Sequence, residues 1–285
     1  MTVTDLFGSR DRFEDRVVPV CGLRIRVRIR TGTGVPLVLC NGIGAGLEVL
    51  EPLVAALDPA ATIVSFDVPG TGGSAVSPVP YAIPALACGL NRLLDEIGFG
   101  TVDVLGLSWG GALAQQFALQ HPRRCRRLVL VATGTGALMI PGHPRVLSKM
   151  LTPKRFTDPD YASAVAGELY GGAARRAGGD VARIFGKQRQ AGSRVGYLHQ
   201  LLAGALWTSL PVLPLIRQPT LLLAGTDDPI IPVLNAHIMN ALLPHATLHL
   251  HPGGHIDIVT DASGLAPVVA GFLADPDPGT GPRAG

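Results

Sequence analysis

Apolar positions along the chain follow two rhythms. From Leu23 to Arg30 they alternate strictly with arginine, the period of a strand with one buried face. With the residues before it, this stretch predicts two short strands over 17–30 with a turn near Gly22. Four arginines line the other face, and the pattern reads as a solvated, charged strand face near a sheet edge. From Pro36 the rhythm changes. PLVLCN (36–41), TIVSFD (62–67), VDVLGLS (102–108), RLVLVAT (127–133), PTLLLAG (219–225) and ATLHLH (246–251) are continuous apolar runs of strand length. Helical spacing fills the gaps, at 47–57, 81–97, 111–121, 233–243 and roughly 264–274. Strands buried on both faces, each followed by a helix, predict an α/β fold: a mostly parallel central sheet flanked by helices.

The alternation stops between 134 and 218, where basic, Gly- and Pro-containing stretches carry weak helical patterns. That block is too long for a loop in a compact domain and reads as a helical cap insertion. The expected organisation is one core domain over 1–133 and 219–274, a cap over 134–218, and a disordered Pro/Gly-rich tail over 275–285.

Composition narrows the classes. Charged residues make up 16% of the 285, too few for a disordered chain, and the net charge is +3. Lys and Arg form no compact cluster, so no nucleic-acid partner is expected. The polar start MTVTDLFGSRDRFEDRVV lacks the apolar core of a signal peptide, and no apolar run has the length of a membrane span. These features point to the cytoplasm. Cys21, Cys40, Cys88 and Cys125 are too scattered for a metal or redox pair and read as reduced, mostly buried thiols.

The chemistry begins at Gly106-Leu107-Ser108-Trp109-Gly110, a Gly-x-Ser-x-Gly sequence between an apolar strand and a helical run. In that setting the serine sits on a sharp, strained turn, and glycines two before and two after avoid collision. A serine hydroxyl needs a base. His255, in the Gly-rich loop Pro252-Gly253-Gly254-His255, follows the last apolar strand and lies at the same sheet end as Ser108. His249 and His251 precede it on one alternating face. No carboxylate or cysteine cluster completes a metal set, so no metal is expected. The acid should end another strand. Ala224-Gly225-Thr226-Asp227-Asp228-Pro229 offers two aspartates, and the residues alone leave Asp227 and Asp228 both open. The segment 131–140 holds no carboxylate, and Asp67 reads as structural, tying down the glycine turn after it. The oxyanion needs two backbone donors. The N–H groups of Trp109 and of Ile43, in the loop Asn41-Gly42-Ile43-Gly44, are the candidates. Gly70-Thr71-Gly72-Gly73-Ser74 lacks the ending of a phosphate loop, and no cofactor is expected.

These elements match the α/β-hydrolase fold. Further stretches resemble intracellular poly(3-hydroxyalkanoate) depolymerases: Asn41-Gly42-Ile43-Gly44-Ala45, Phe66-Asp67-Val68-Pro69-Gly70, Gly72-Gly73-Ser74, Ser108 through Phe117, Tyr170-Gly171-Gly172 and Trp207-Thr208-Ser209. The likeness covers roughly 36–272. After His255, Ile256-Asp257-Ile258 departs from the more apolar run expected, and the insertion carries many arginines. The resemblance implies that Ser108 attacks an ester carbonyl, His255 shuttles the proton and Asp228 orients His255. It implies as substrate a medium-chain polyester stored in cytoplasmic granules, with the granule surface as a partner. A general carboxylesterase or lipase with the same triad is the nearer rival, and a non-catalytic granule-binding protein the more distant one.

Overall fold

The computed structural model describes residues 13–176 and 192–276. Strands β1 (Phe13–Val20) and β2 (Leu23–Arg30) form an antiparallel hairpin. Its turn residues, Cys21 and Gly22, both have positive φ, 49° and 80°, the tight hairpin turn whose twist matches that of the strands. β3 (Thr33–Cys40), β4 (Ala61–Phe66), β5 (Val102–Leu107), β6 (Cys125–Val131), β7 (Thr220–Gly225) and β8 (Ala246–His251) complete an eight-stranded sheet in the order β1-β2-β4-β3-β5-β6-β7-β8. β2 pairs antiparallel with β4, and every pairing from β4 to β8 is parallel.

The central parallel strands are mainly apolar because both their faces are covered, whereas β8 at the edge is half-exposed. Leu37 and Leu39 point to one face and pack with Leu53 of α1 (Glu51–Ala56) and with Leu265 and Val269 near the C-terminus. Val38 and Cys40 point to the other. There they meet Leu90 and Leu94 of α2 (Ile83–Glu96) and Leu113 and Phe117 of α3 (Trp109–Gln120). Burying each such leucine or phenylalanine contributes about 1.5–3 kcal/mol. Between β6 and β7 lie five α-helices among the described residues, α4 (Pro144–Ser148), α5 (Lys154–Thr157), α6 (Pro159–Tyr170), α7 (Gly172–Arg176) and α8 (Arg194–Ala205), followed by a 3₁₀ turn over Leu210–Leu215. Within the expected 134–218 insertion, 177–191 lie outside the described residues, as do 277–285 of the expected tail. α9 (Leu234–Leu242), α10 (Asp257–Thr260) and α11 (Ala262–Ala274) are the last helices among the described residues. The parallel strands all end at one edge of the sheet, where α/β folds place their sites.

The arginine stripe of β2 differs from its expected solvated state. β1, not β2, is the edge strand, and the segment Leu47–Ala56 covers the stripe. Arg26 pairs with Glu48 at 2.7 Å, Arg28 with Asp15 at 2.5 Å and Glu51 at 2.6 Å. Arg30 is buried and donates to the carbonyls of Ala61, Val54 and Asp58. The acids of the covering segment meet the charge face that sequence alone left open to water. The cysteines also differ: Cys40 and Cys125 are buried, and burial pushes both thiols up, but Cys21 and Cys88 are exposed.

Asp67, just past β4, is fully buried. Its carboxylate accepts from Leu47 N at 2.8 Å and Gly73 N at 2.9 Å, and Arg26 stands 3.4 Å away. Burial raises its pKa despite these donors. Gly72, at φ 49°, has no room for a Cβ against that carboxylate. Asp67→Ala orphans the buried Leu47 N–H and the half-buried Gly73 N–H and is expected to cost about 1–3 kcal/mol, read as a lower midpoint in urea unfolding.

Candidate active site

β5 ends at Leu107 and α3 starts at Trp109, so the whole reversal falls on Ser108. Its backbone sits at φ 53°, ψ −118°, a strained conformation for a non-glycine residue. Three bonds fix it: Ser108 N donates to Val131 O at 2.9 Å, and Ser108 O accepts from Gly111 N at 2.9 Å and Thr133 Oγ1 at 2.7 Å. The flanking glycines are steric necessities. A Cβ at Gly106 would overlap Gly110 and Gly111, and one at Gly110 would overlap the carbonyl oxygens of Cys40 and Asn41. Those obstacles are backbone and cannot swing away. Gly110→Ala is therefore expected to destabilise the protein by about 1–3 kcal/mol or more and to lower activity with it, checked by thermal unfolding beside an ester assay.

Ser108 Oγ lies 2.8 Å from His255 Nε2, and His255 Nδ1 lies 2.8 Å from Asp228 Oδ2. His255 and Asp228 are buried. The other carboxylate oxygen of Asp228 accepts from Ile230 N and Ile231 N, both at 2.9 Å. An ionised carboxylate only accepts, so His255 Nδ1 donates to it. Nε2 is then the bare nitrogen facing the serine hydroxyl. Asp227 points elsewhere: Oδ2 accepts from Gly172 N at 2.8 Å and Oδ1 meets Arg175 at 3.1 Å. The geometry thus joins Asp228, and not Asp227, to His255.

The motifs scattered along the sequence meet as seams. Tyr170-Gly171-Gly172 lies on the His255 loop: His255 N donates to Tyr170 O at 2.7 Å, and the Tyr170 ring stacks near the imidazole with centroids 6.5 Å apart. Burial pushes the Tyr170 phenol up to about 12. Gly171 and Gly172 both have positive φ, and a Cβ on either would overlap Asp227 O or Gly254 N. Asp257, the departure after His255, is buried and accepts from Ala173 N at 3.2 Å, so it anchors the first turn of α7. Trp207-Thr208-Ser209 forms the second seam. Trp207 Nε1 donates to Gln116 Oε1, Thr208 Oγ1 to Thr135 O and Ser209 Oγ to Gln115 Oε1, each at 2.7 Å.

The loop after β3 faces the same end of the sheet as Ser108. Gly42 packs 3.8 Å from the Ser108 Cβ, measured from where a Cβ of its own would stand. Among the described residues, no acceptor meets the N–H of Ile43 or of Trp109. A free N–H at a helix start beside a nucleophile can hold developing negative charge. Tyr170 reaches the His255 loop, and Gln200 and Arg155 reach the loop after β3. Sequence reasoning singled out Tyr170 only within a motif and missed the other two.

Residues 35–262 match the alpha/beta hydrolase fold family. A poly(3-hydroxyalkanoate) depolymerase of Ectopseudomonas oleovorans is 44% identical over 260 residues, covering 90% of this chain and 92% of that protein. A 2-hydroxy-6-oxo-2,4-heptadienoate hydrolase of Pseudomonas putida is 28% identical, covering 86% of this chain and 91% of its own length. In three dimensions the enol-lactonase of Burkholderia xenovorans matches with a TM-score of 0.79 at 24% identity, covering 91% of this chain and 100% of that one. No helix among the described residues is long and apolar enough to cross a membrane.

Proposed function

Because the chain belongs to the α/β-hydrolase fold family and is a serine ester hydrolase, we propose that it cleaves the ester bonds of a poly(3-hydroxyalkanoate), with medium-length side chains, through an acyl-serine at Ser108. The observation that carries the substrate is the 44% identity to a depolymerase over 90% of the chain. The mechanism rests on the two 2.8 Å contacts that link Ser108, His255 and Asp228.

Ser108 Oγ attacks the ester carbonyl carbon while His255 Nε2 takes its proton. The carbonyl oxygen becomes an oxyanion, held by the N–H groups of Ile43 and Trp109. The buried Asp228 carboxylate accepts the Nδ1 proton and stabilises the imidazolium. As the tetrahedral centre collapses, the bond to the alkoxide oxygen breaks and His255 returns the proton to it. The hydroxyl end of the polymer leaves and the acyl group stays on Ser108. Water, deprotonated by His255, repeats the sequence and releases the acid. The helices between β6 and β7 act as a cap that shelters the alkyl side chains. The enzyme works in the cytoplasm, at the polymer granule.

The test is incubation of the purified protein with a latex of medium-chain polyhydroxyalkanoate beside short aryl esters. Release of 3-hydroxy acids from the latex is the expected result. Turnover of aryl esters with an untouched latex would move the enzyme to the general carboxylesterases.

A further inference from the structure

Two buried polar side chains from the segment between β6 and β7 converge on the loop after β3. Gln200, on α8, is 0% exposed. Its Oε1 accepts from Gly44 N at 2.9 Å, and its Nε2 donates to Thr71 Oγ1 at 2.6 Å. Its main-chain carbonyl accepts from the Trp109 indole at 2.9 Å. One residue thus touches both loops that carry the oxyanion donors. Arg155, on α5, is 2% exposed. It donates to Ile43 O at 3.2 Å, Tyr197 Oη at 2.9 Å and Thr152 O at 3.4 Å. Those acceptors are all neutral. The guanidinium lies 4.4 Å from the Phe156 ring centroid and 5.5 Å from that of Tyr197. Among the described residues it forms no ion pair with a carboxylate. Burying a cation without a counter-charge is costly, so this position needs a reason.

The reason lies in the peptide joining Ile43 to Gly44. Arg155 holds its carbonyl and Gln200 holds its N–H, so both ends are gripped. The preceding peptide, Gly42–Ile43, has its carbonyl tied to Ala45 N at 3.1 Å. A trans peptide sets its N–H opposite its carbonyl, so the Ile43 N–H is left aimed to the other side. Gly44, at φ 70°, has no room for a side chain against the rings of Tyr197 and Phe156. The plane of the Ile43 N–H is thus held within the loop by the Gly42 carbonyl, and α5 and α8 fix the next peptide, on the other side of the Ile43 Cα, so that Ile43 is clamped from both sides.

We infer that Gln200 and Arg155 are positioning residues for the oxyanion hole, so that docking of the segment between β6 and β7 completes the catalytic site and does more than cover it. The inference rests on Ser108 as nucleophile and on Ile43 as oxyanion donor. Neither side chain bonds to Ser108, His255 or Asp228; Gln200 reaches the site through the loops, and Arg155 also faces the Tyr170 phenol, whose residue takes His255 N on its main-chain carbonyl, so Gln200 is the cleaner probe. A donor fixed in advance stabilises charge that develops only in the transition state. Loosening it should lower kcat and spare KM.

The test uses Gln200→Met and Arg155→Lys in the full chain. The first removes both side-chain bonds at similar volume. The second keeps the buried charge but not the planar fork, and it covers a failure of the first to fold. Each folded variant is assayed with a soluble octanoate aryl ester and with an alkyl boronic acid, whose tetrahedral adduct mimics the oxyanion. A misaimed donor costs less than a deleted one, so kcat should fall about 10–100-fold with KM within about threefold. The boronic acid Ki should rise by the same factor as kcat falls. A loss carried by KM, or an unchanged boronic acid Ki, overturns the inference. Failure of the underlying reading is distinct: the wild-type protein would then show no modification of Ser108 by a fluorophosphonate.

Discussion

Replacing Ser108 by alanine should lower ester turnover by about 10⁵–10⁶-fold, the scale on which serine hydrolases lose their nucleophile. Alanine is the right probe because it keeps the Cβ. The backbone at φ 53° stays as strained as before, and the bonds from Gly111 N and Thr133 Oγ1 to the residue 108 carbonyl remain. Only the hydroxyl and its 2.8 Å contact with His255 are lost. The hydroxyl is worth about 1 kcal/mol of stability, which moves the melting temperature of a chain this size by a few degrees. Turnover and melting temperature are read on the same sample. Near-wild-type turnover in a variant that melts normally would take Ser108 out of the chemistry.

Asp228→Asn should cost about 10⁴-fold in kcat, and Asp227→Asn less than about threefold. The contrast follows from the hydrogen bonds. Ile230 N and Ile231 N both donate to Asp228 Oδ1. An asparagine there keeps its oxygen toward those donors and turns its NH₂ to His255 Nδ1. Nδ1 must then accept, which puts the imidazole proton on Nε2, facing Ser108 with a donor where a base is needed. Asp227 has no such link. It holds Gly172 N and the exposed Arg175, and its amide can still accept from Gly172 N. Steady-state kinetics of the two single variants decide the point. Equal losses would return the acid's identity to the open pair that the sequence leaves.

The legible part of the fold was the part whose residues answer to their neighbours in sequence. The strands from β3 to β7 announce themselves because their central residues are buried on both faces and read as apolar runs, and β8 follows by its alternation. Ser108 is visible because its turn demands Gly106 and Gly110 within two residues of it. His255 is visible from its place after the last strand. Asp227 and Asp228 could not be separated, since the choice depends on which side chain the turn aims at residue 255. The arginine face of β2 was misread for the same reason. Its partners Glu48 and Glu51 sit on a covering segment about twenty residues on, and nothing in the local alternation reveals it. Arg155 and Gln200 were invisible. They lie in short or weakly patterned helices, and their partners are main-chain groups 112 and 156 positions away.

The central claim is that ester cleavage runs through an acyl group on Ser108. Rapid acid quench of the protein during turnover of an octanoate aryl ester, followed by peptide mass spectrometry, tests it directly. An octanoyl adduct on Ser108, absent from Ser108→Ala, is the predicted result. Continued turnover with no adduct, or an adduct on another residue, would contradict it.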